Sequence, residues 1–246
     1  MPSPTAAPLG RFLEISVRAP EIRESLAFYE SLGFVQASVG EAWPHPYAVV
    51  TDGRACIGLH AAELALPALT FVLPDLAQAV QRLRQQGVPI EQEHIGSEVF
   101  NQAWFRDPSG HQVALLEART FSPVTLEPGQ TGSCGYFTEY GMPTRDARSS
   151  CAFWEQLGFV AMEEQPDPFP RATLTSDLLN LGLYRSRALR QPVLTFEDAD
   201  MRERLSRLRE RGFELSDAMP DSLDEHCNAV LIAPEGTRLL LLQAAD

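Results

Sequence analysis

Residues 12–35 read FLEISVRAPEIRESLAFYESLGFV, and residues 137–160 read FTEYGMPTRDARSSCAFWEQLGFV. Overlaid at an offset of 125, 11 of these 24 positions are identical, including Glu14/Glu139 and Leu32-Gly33-Phe34-Val35 over Leu157-Gly158-Phe159-Val160. The offset persists downstream. Residues 67–87 and 192–212 share 9 of 21 positions, among them Leu69-Thr70-Phe71 over Leu194-Thr195-Phe196 and Arg82-Leu83-Arg84 over Arg207-Leu208-Arg209. The chain is therefore a tandem duplication of a unit of about 120 residues, long enough for a core of its own. The expected organisation is a first domain over 10–117, a Pro-, Thr- and Gly-rich linker over 118–131, and a second domain over 132–246.

Each half carries one pattern twice. Residues 11–18 alternate as a strand does, and the apolar positions of 21–32 recur with helical spacing before Gly33 closes that helix. Short strands are expected near 34–39, 47–51 and 55–60. The pattern then restarts with a strand over 68–73, a helix over 75–86, and strands near 89–93, 101–106 and 111–117. The second half repeats this with strands from 136–141 and 193–197 and helices over 145–157 and 199–211. The fold class predicted is α+β: four β-α-β-β-β modules forming two curled mixed sheets, with helices on the outer faces and concave inner faces suited to a pocket.

Composition narrows the function. The net charge is −13 with a pI near 4.8, which argues against nucleic acid and anionic membranes as partners. All 20 basic residues are arginine, so Schiff-base chemistry on a lysine is excluded. The four cysteines have no metal-ligand spacing, and those in a predicted strand or helix read as buried apolar fillers. The N-terminus has neither a basic nor an apolar signal region, no run is long enough to span a membrane, and a cytoplasmic location is expected. No Walker loop, G-x-G-x-x-G, G-x-S-x-G or H-E-x-x-H is present.

The doubled module, the SLAFYESLGF stretch after the first strand and the FRDPSGHQVALLE ending together resemble the vicinal oxygen chelate superfamily. This is the group of glyoxalase I, bleomycin- and fosfomycin-resistance proteins and extradiol dioxygenases. The second half keeps the helix signature but reduces the ending to Ala233-Pro234-Glu235-Gly236. The resemblance implies a metal on the sheet floor, held by residues on the first, fifth and last strands and, in glyoxalase I, the fourth. Those positions are Glu14, Ala68, Ala114 and Gly58 here, and Glu139, Val193, Leu240 and Gly182 in the second half. One ligand of four survives in each copy, fewer than a transition ion requires. No metal and no other cofactor are expected.

What remains to carry function is a set of candidate ligand contacts. Glu14 and Glu139 are mid-strand carboxylates, candidates for ligand anchor or general base, with a neighbouring arginine such as Arg18 as the alternative partner. Glu14 is expected to share its face with Phe12, Ser16 and Arg18. The resemblance places Trp43, His45, Tyr47, Phe100 and Trp104 at a cavity mouth, where such side chains are suited to stacking on a planar ligand. Trp43-Pro44-His45-Pro46 should be a stiff extended loop, with Asp167-Pro168-Phe169-Pro170 as its counterpart. His60 lies two residues beyond Gly58, on the same strand face. His94 with Glu98, and His226 with Asp224 and Glu225, are read as loop histidines beside carboxylates, and the arginine-rich helix near 199–211 as a solvated, salt-bridged face.

The reading is a metal-independent small-molecule-binding protein, similar to the antibiotic-sequestering members of the superfamily, taking an aromatic or cationic compound in one main pocket of the first half. The alternative is an enzyme, a glyoxalase-like lyase or isomerase or a dioxygenase with a nonstandard site. The chain is expected to be a monomer or a homodimer.

Overall fold

The computed structural model describes residues 8–38, 43–118, 132–162, 169–177 and 179–244. The first half runs β1 (Arg11–Arg18), α1 (Ile22–Ser31), β2 (Val35–Gln36), β3 (Tyr47–Thr51), β4 (Cys56–His60), β5 (Ala68–Leu73), α2 (Leu76–Gln85), β6 (Ile90–His94), β7 (Gln102–Arg106) and β8 (Gln112–Glu117). The second half repeats it as β9 (Tyr136–Pro143), α3 (Ala147–Gln156), β10 (Val160–Ala161), β11 (Arg171–Thr175), β12 (Asn180–Tyr184), β13 (Val193–Asp198), α4 (Met201–Glu210), β14 (Leu215–Ser216), β15 (Ala229–Ile232) and β16 (Arg238–Gln243). Four β-α-β-β-β modules are thus present. The strand expected over 34–39 shortens to two residues, and that over 136–141 extends to Pro143. The predicted linker lies, but for Ala118, outside the described residues, as do Asp167 and Pro168.

Each half forms one eight-stranded mixed sheet, ordered β2-β3-β4-β1-β5-β8-β7-β6 and β10-β11-β12-β9-β13-β16-β15-β14. The two modules of a half therefore meet through their first strands, β1 against β5 and β9 against β13, both antiparallel. Alternation along the strands separates two faces. Ile15, Val17, Ile57, Leu59, Leu69 and Phe71 face the helices, while Glu14, Ser16, Gly58, His60, Ala68 and Thr70 face the concave side.

The helix-side residues of both halves belong to one continuous core. Phe28 of α1 meets Phe213 beyond α4 with ring centroids 6.0 Å apart, Phe34 meets Phe196 at 6.2 Å, and Phe105 meets Phe153 of α3 at 6.2 Å. Polar contacts tie the same surface. Arg211 donates to the Ser31 carbonyl, and Gln156 to the Gln86 carbonyl at 2.6 Å. The arginines of α4 are thus not all on a solvated face. Arg207 pairs with Glu203 in the expected i,i+4 manner, but Arg204 reaches Asp198 at 2.8 Å and the Gly132 carbonyl.

The concave faces carry separate clusters. Trp43, Ala68, Val72, Trp104, Ala114 and Leu116 fill the first, and Phe169, Tyr184, Leu189, Val193, Val230, Leu240 and Leu242 are prominent in the second. The mouth expected on the first concave face is accordingly capped by the chain's own aromatic rings. Shallow clefts of about 520 and 450 Å³ lie instead beside α4. Of the cysteines, Cys56 in β4 and Cys151 in α3 are only half-buried; the fully buried thiol is Cys134, ahead of β9, pushed up to about 12 by burial. No helix among the described residues is long and apolar enough to cross a membrane.

Candidate functional site

The site is built outward from Glu14. A register shift between Phe12 and Glu14 separates the two: Phe12 pairs with Phe71 on the helix side, and Glu14 with Thr70 on the concave side. The extra residue, Leu13, packs with the concave cluster. Phe12 and Glu14 therefore do not share a face, contrary to simple alternation, because a bulge adds one residue to the strand and resets its phase. The second half has the same device, since Phe137 opposes Phe196 and Glu139 opposes Thr195.

Glycine then makes room for the carboxylate. A Cβ at Gly58 would lie 2.3 Å from the Glu14 carboxylate, and one at Gly182 2.2 Å from that of Glu139. The fourth-strand position, where the resemblance placed a further ligand, is thus filled in each copy by the glutamate itself lying over a glycine.

Glu14 is 1% exposed and His60 0%, so both need partners. Arg18 does not supply one; it is exposed and pairs with Glu63. The Glu14 Oε1 accepts from Ser16 Oγ at 2.8 Å and lies 2.8 Å from His60 Nε2. Ser16 Oγ shares a 2.6 Å hydrogen bond with Thr70 Oγ1. His60 Nδ1 lies 2.9 Å from His45 Nε2. A chain Glu14–His60–His45 therefore runs from the floor to a half-buried histidine at the rim. Burial first, and the neighbouring His60 second, push the His45 imidazole below its usual range, with Glu14 opposing.

The aromatic candidates converge on this chain. Tyr47 stacks on His60 with centroids 5.6 Å apart, and Trp43 meets the edge of His60 at 4.8 Å and the His45 ring at 5.3 Å. Phe100 and Trp104 lie 5.8 and 6.4 Å from Trp43. They form a packed cap rather than an open mouth, with Trp43 5% and Trp104 6% exposed. The Trp104 indole donates to Gln102 Oε1 at 3.1 Å, whereas the buried Trp43 Nε1 has no hydrogen-bond partner among the described residues.

The second copy has diverged at its floor. Register aligns Tyr47, opposite His60, with Arg171, opposite Tyr184. Arg171 Nε lies 3.1 Å from Glu139 Oε1, its Nη2 3.5 Å from Glu197, and its guanidinium over the Phe169 ring at 5.5 Å. Burial pushes the Glu139 carboxyl up, with Arg171 opposing and Glu197 reinforcing. Gly141 stands where the first half has Ser16, and Thr195 Oγ1 is buried without a hydrogen bond among the described residues. Sequence reading names Glu139 and places Ser16 on the face of Glu14 without giving it a role, but misses Arg171 and Thr70; the Ser16/Gly141 difference at the 125-residue offset is the available signal that the floors differ.

The remaining histidines lie apart from this cluster. His94 is the last residue of β6, not a loop residue, 3.5 Å from Gln102, and Glu98 is exposed. His226 pairs with Asp224 at 2.9 Å on an exposed turn. His111 Nε2 donates to the Pro143 carbonyl at 2.7 Å, between the halves.

The donor set does not fit the metal that the resemblance implies. Across the floor, Glu14, Thr70 and Ala114 stand in one row, and only the first is a ligand for a transition ion. His60 and His45 do not complete it, because Glu14, His60 and His45 bond in sequence, using both nitrogens of His60, instead of aiming lone pairs at one point. Among the described residues no three His, Cys, Asp or Glu side chains are arranged to hold an ion.

Comparison with known proteins gives the same architecture. Residues 11–115 match the model of the Glyoxalase/Bleomycin resistance protein/Dioxygenase superfamily. No curated protein matches the chain significantly. Among solved structures, the 2,3-dioxygenase LapB from Pseudomonas sp. KL28 has a TM-score of 0.59 at 16% identity, over 96% of this chain and 92% of that one. An E323L mutant of homoprotocatechuate 2,3-dioxygenase from Brevibacterium fuscum gives 0.61 at 16%, over 100% and 74%. A catechol 2,3-dioxygenase gives 0.56 at 15%, over 94% and 86%. At such identities the likeness is one of fold.

Proposed function

Since residues 11–115 belong to the glyoxalase, bleomycin-resistance and dioxygenase superfamily, we propose that this chain is a member that binds a small molecule without a metal, at the concave face of its first half. The observation that carries the reading is the commitment of Glu14. Its Oε1 is engaged by Ser16 and His60, its side chain fills the space over Gly58, and its row across the sheet continues with Thr70 and Ala114. A carboxylate so held serves as the polar floor of a binding site lined by Trp43, Tyr47, Phe100 and Trp104. Such a site, apolar walls with a few fixed polar groups, is typical of small-molecule recognition. The ligand is an aromatic or cationic compound.

Two measurements test this. Protein purified without chelator and analysed for Ni, Zn, Fe and Mn should hold each far below one equivalent; a stoichiometric ion lost on Glu14→Ala overturns the metal-free reading. A calorimetric screen of planar and cationic compounds should find binding that Glu14→Gln and Trp104→Ala weaken. Absence of any ligand in a broad screen counts against binding.

The Glu14–His60–His45 chain supports a second reading, a metal-independent lyase or isomerase with His45 as general base. It predicts turnover that falls in His45→Ala while ligand affinity is kept.

A further inference from the structure

The hydrogen-bond network at the first concave face has a polarity, and that polarity specifies a ligand. With Glu14 as carboxylate, Oε1 accepts from Ser16 and from His60 Nε2. In a neutral His60 imidazole this puts the proton on Nε2 and leaves a lone pair on Nδ1. That lone pair accepts from His45 Nε2 at 2.9 Å. The neighbouring Trp43 presents the opposite need, a buried indole N–H with no acceptor among the described residues. His45 answers only one of the two. Its ring lies against Trp43 and His60, with centroids 5.3 and 5.2 Å away. It is half-buried between exposed Pro44 and Pro46, so it can leave without disturbing the sheet.

Resting on the binding site proposed above, we infer that its ligand is a planar nitrogen heterocycle with a ring N–H beside an acceptor, which takes the place of the His45 imidazole. The ring N–H donates to His60 Nδ1, and the adjacent carbonyl oxygen or bare ring nitrogen accepts from Trp43 Nε1. The ring meets the indole at its N–H edge, and its substituents extend past Pro44 and Pro46 into solvent. His45 is then an internal competitor that keeps His60 satisfied while the site is empty. A buried donor and acceptor left unpaired by the wrong compound penalise it strongly, so both groups confer selectivity.

The test uses the full chain and two probes, 2-quinolone and its N-methyl analogue, in which the donor is blocked. Calorimetry should show 2-quinolone binding and the N-methyl analogue weaker by about tenfold or more. His45→Ala should bind 2-quinolone more tightly, by roughly tenfold, because removing a self-occluding group raises the competent fraction. Trp43→Phe should weaken it, and the His60 Nδ1 resonance in nitrogen NMR should shift on binding. Circular dichroism checks that each variant folds.

Equal affinity for the two probes, or weaker binding by His45→Ala, overturns the inference; if the probes still quench tryptophan emission, the small-molecule site itself survives. No binding by either protein also overturns it, and the broader screen then decides separately whether the site takes ligands of another class.

Discussion

At the scale of single residues, two positions determine how the first concave face behaves. Gly58 is required because the Glu14 carboxylate occupies the volume a Cβ would take, only 2.3 Å from it. Gly58→Ala should destabilise the fold by about 1–3 kcal/mol, the usual cost of overpacking, read as a lower urea midpoint with unchanged slope. His45 carries a pH signature. Its imidazole is held below the ordinary range, first by burial and then by His60, so the unfolded chain binds this proton more readily than the folded one. Its contribution is full above the usual histidine pKa of about 6.5 and declines as the pH falls through that value. Denaturation between neutral pH and pH 5 should therefore show a loss in the wild type that His45→Ala lacks; an identical pH profile refutes it. Glu14 and Glu139 were legible as candidates from residue type and duplication, and the aromatic set from residue type together with the family resemblance. The chain from Glu14 through His60 to His45 was not, because it joins β1, β4 and a loop whose approach depends on strand register.

Among the elements, the turn between the last two strands of each half explains a sequence difference that looked like decay. Asp107 is 4% exposed and accepts from the backbone of Ser109 and His111 within its own turn. It also accepts from the Trp154 indole of α3 at 3.3 Å, and Ser109 Oγ meets Ser150 Oγ at 3.0 Å. The counterpart turn, Ala233-Pro234-Glu235-Gly236, uses Glu235 instead. Its two oxygens accept from Ser25 Oγ at 2.8 Å and the Tyr29 hydroxyl at 2.7 Å on α1. Ser25 and Tyr29 align with Ser150 and Trp154, so each turn docks on the other half's first helix with its own acceptor. Burial, helped by Glu235, pushes the Tyr29 hydroxyl well above its usual range and keeps it a donor. Glu235→Ala should cost about 2 kcal/mol by stranding that hydroxyl. Tyr29→Phe should cost about 1 kcal/mol alone and close to nothing in the Glu235→Ala background. A double-mutant cycle by denaturation with no coupling between the two would show that the contact is not energetically real.

For the whole molecule, the continuous helix-side core means that neither half buries its apolar surface unaided. Phe28, Phe34, Phe105 and their partners Phe213, Phe196 and Phe153 lie on opposite halves. The chain should unfold in one calorimetric transition whose van't Hoff and measured enthalpies agree. A fragment ending at Glu117 should be poorly soluble and loosely packed. Two separated transitions, or a fragment as stable as the full chain, would contradict this.

The β-α-β-β-β order and its fourfold use were written in the sequence, because periodicity and helix-closing glycines are local properties. The repeat also exposed differences between the copies, such as Ser16 against Gly141, whose meaning it could not supply. Tertiary structure decided which strands neighbour one another, hence that Glu14 faces His60 and not Arg18, and that the second copy neutralises Glu139 with Arg171. It also decided that Trp43 and Trp104 pack over the first concave face, with the half-buried His45 at its rim. The physical reason is common to all of these. A bulge of one residue, at Leu13 in the first half, reverses which side chains face inward, and a buried charge takes whichever partner that packing brings within hydrogen-bond reach.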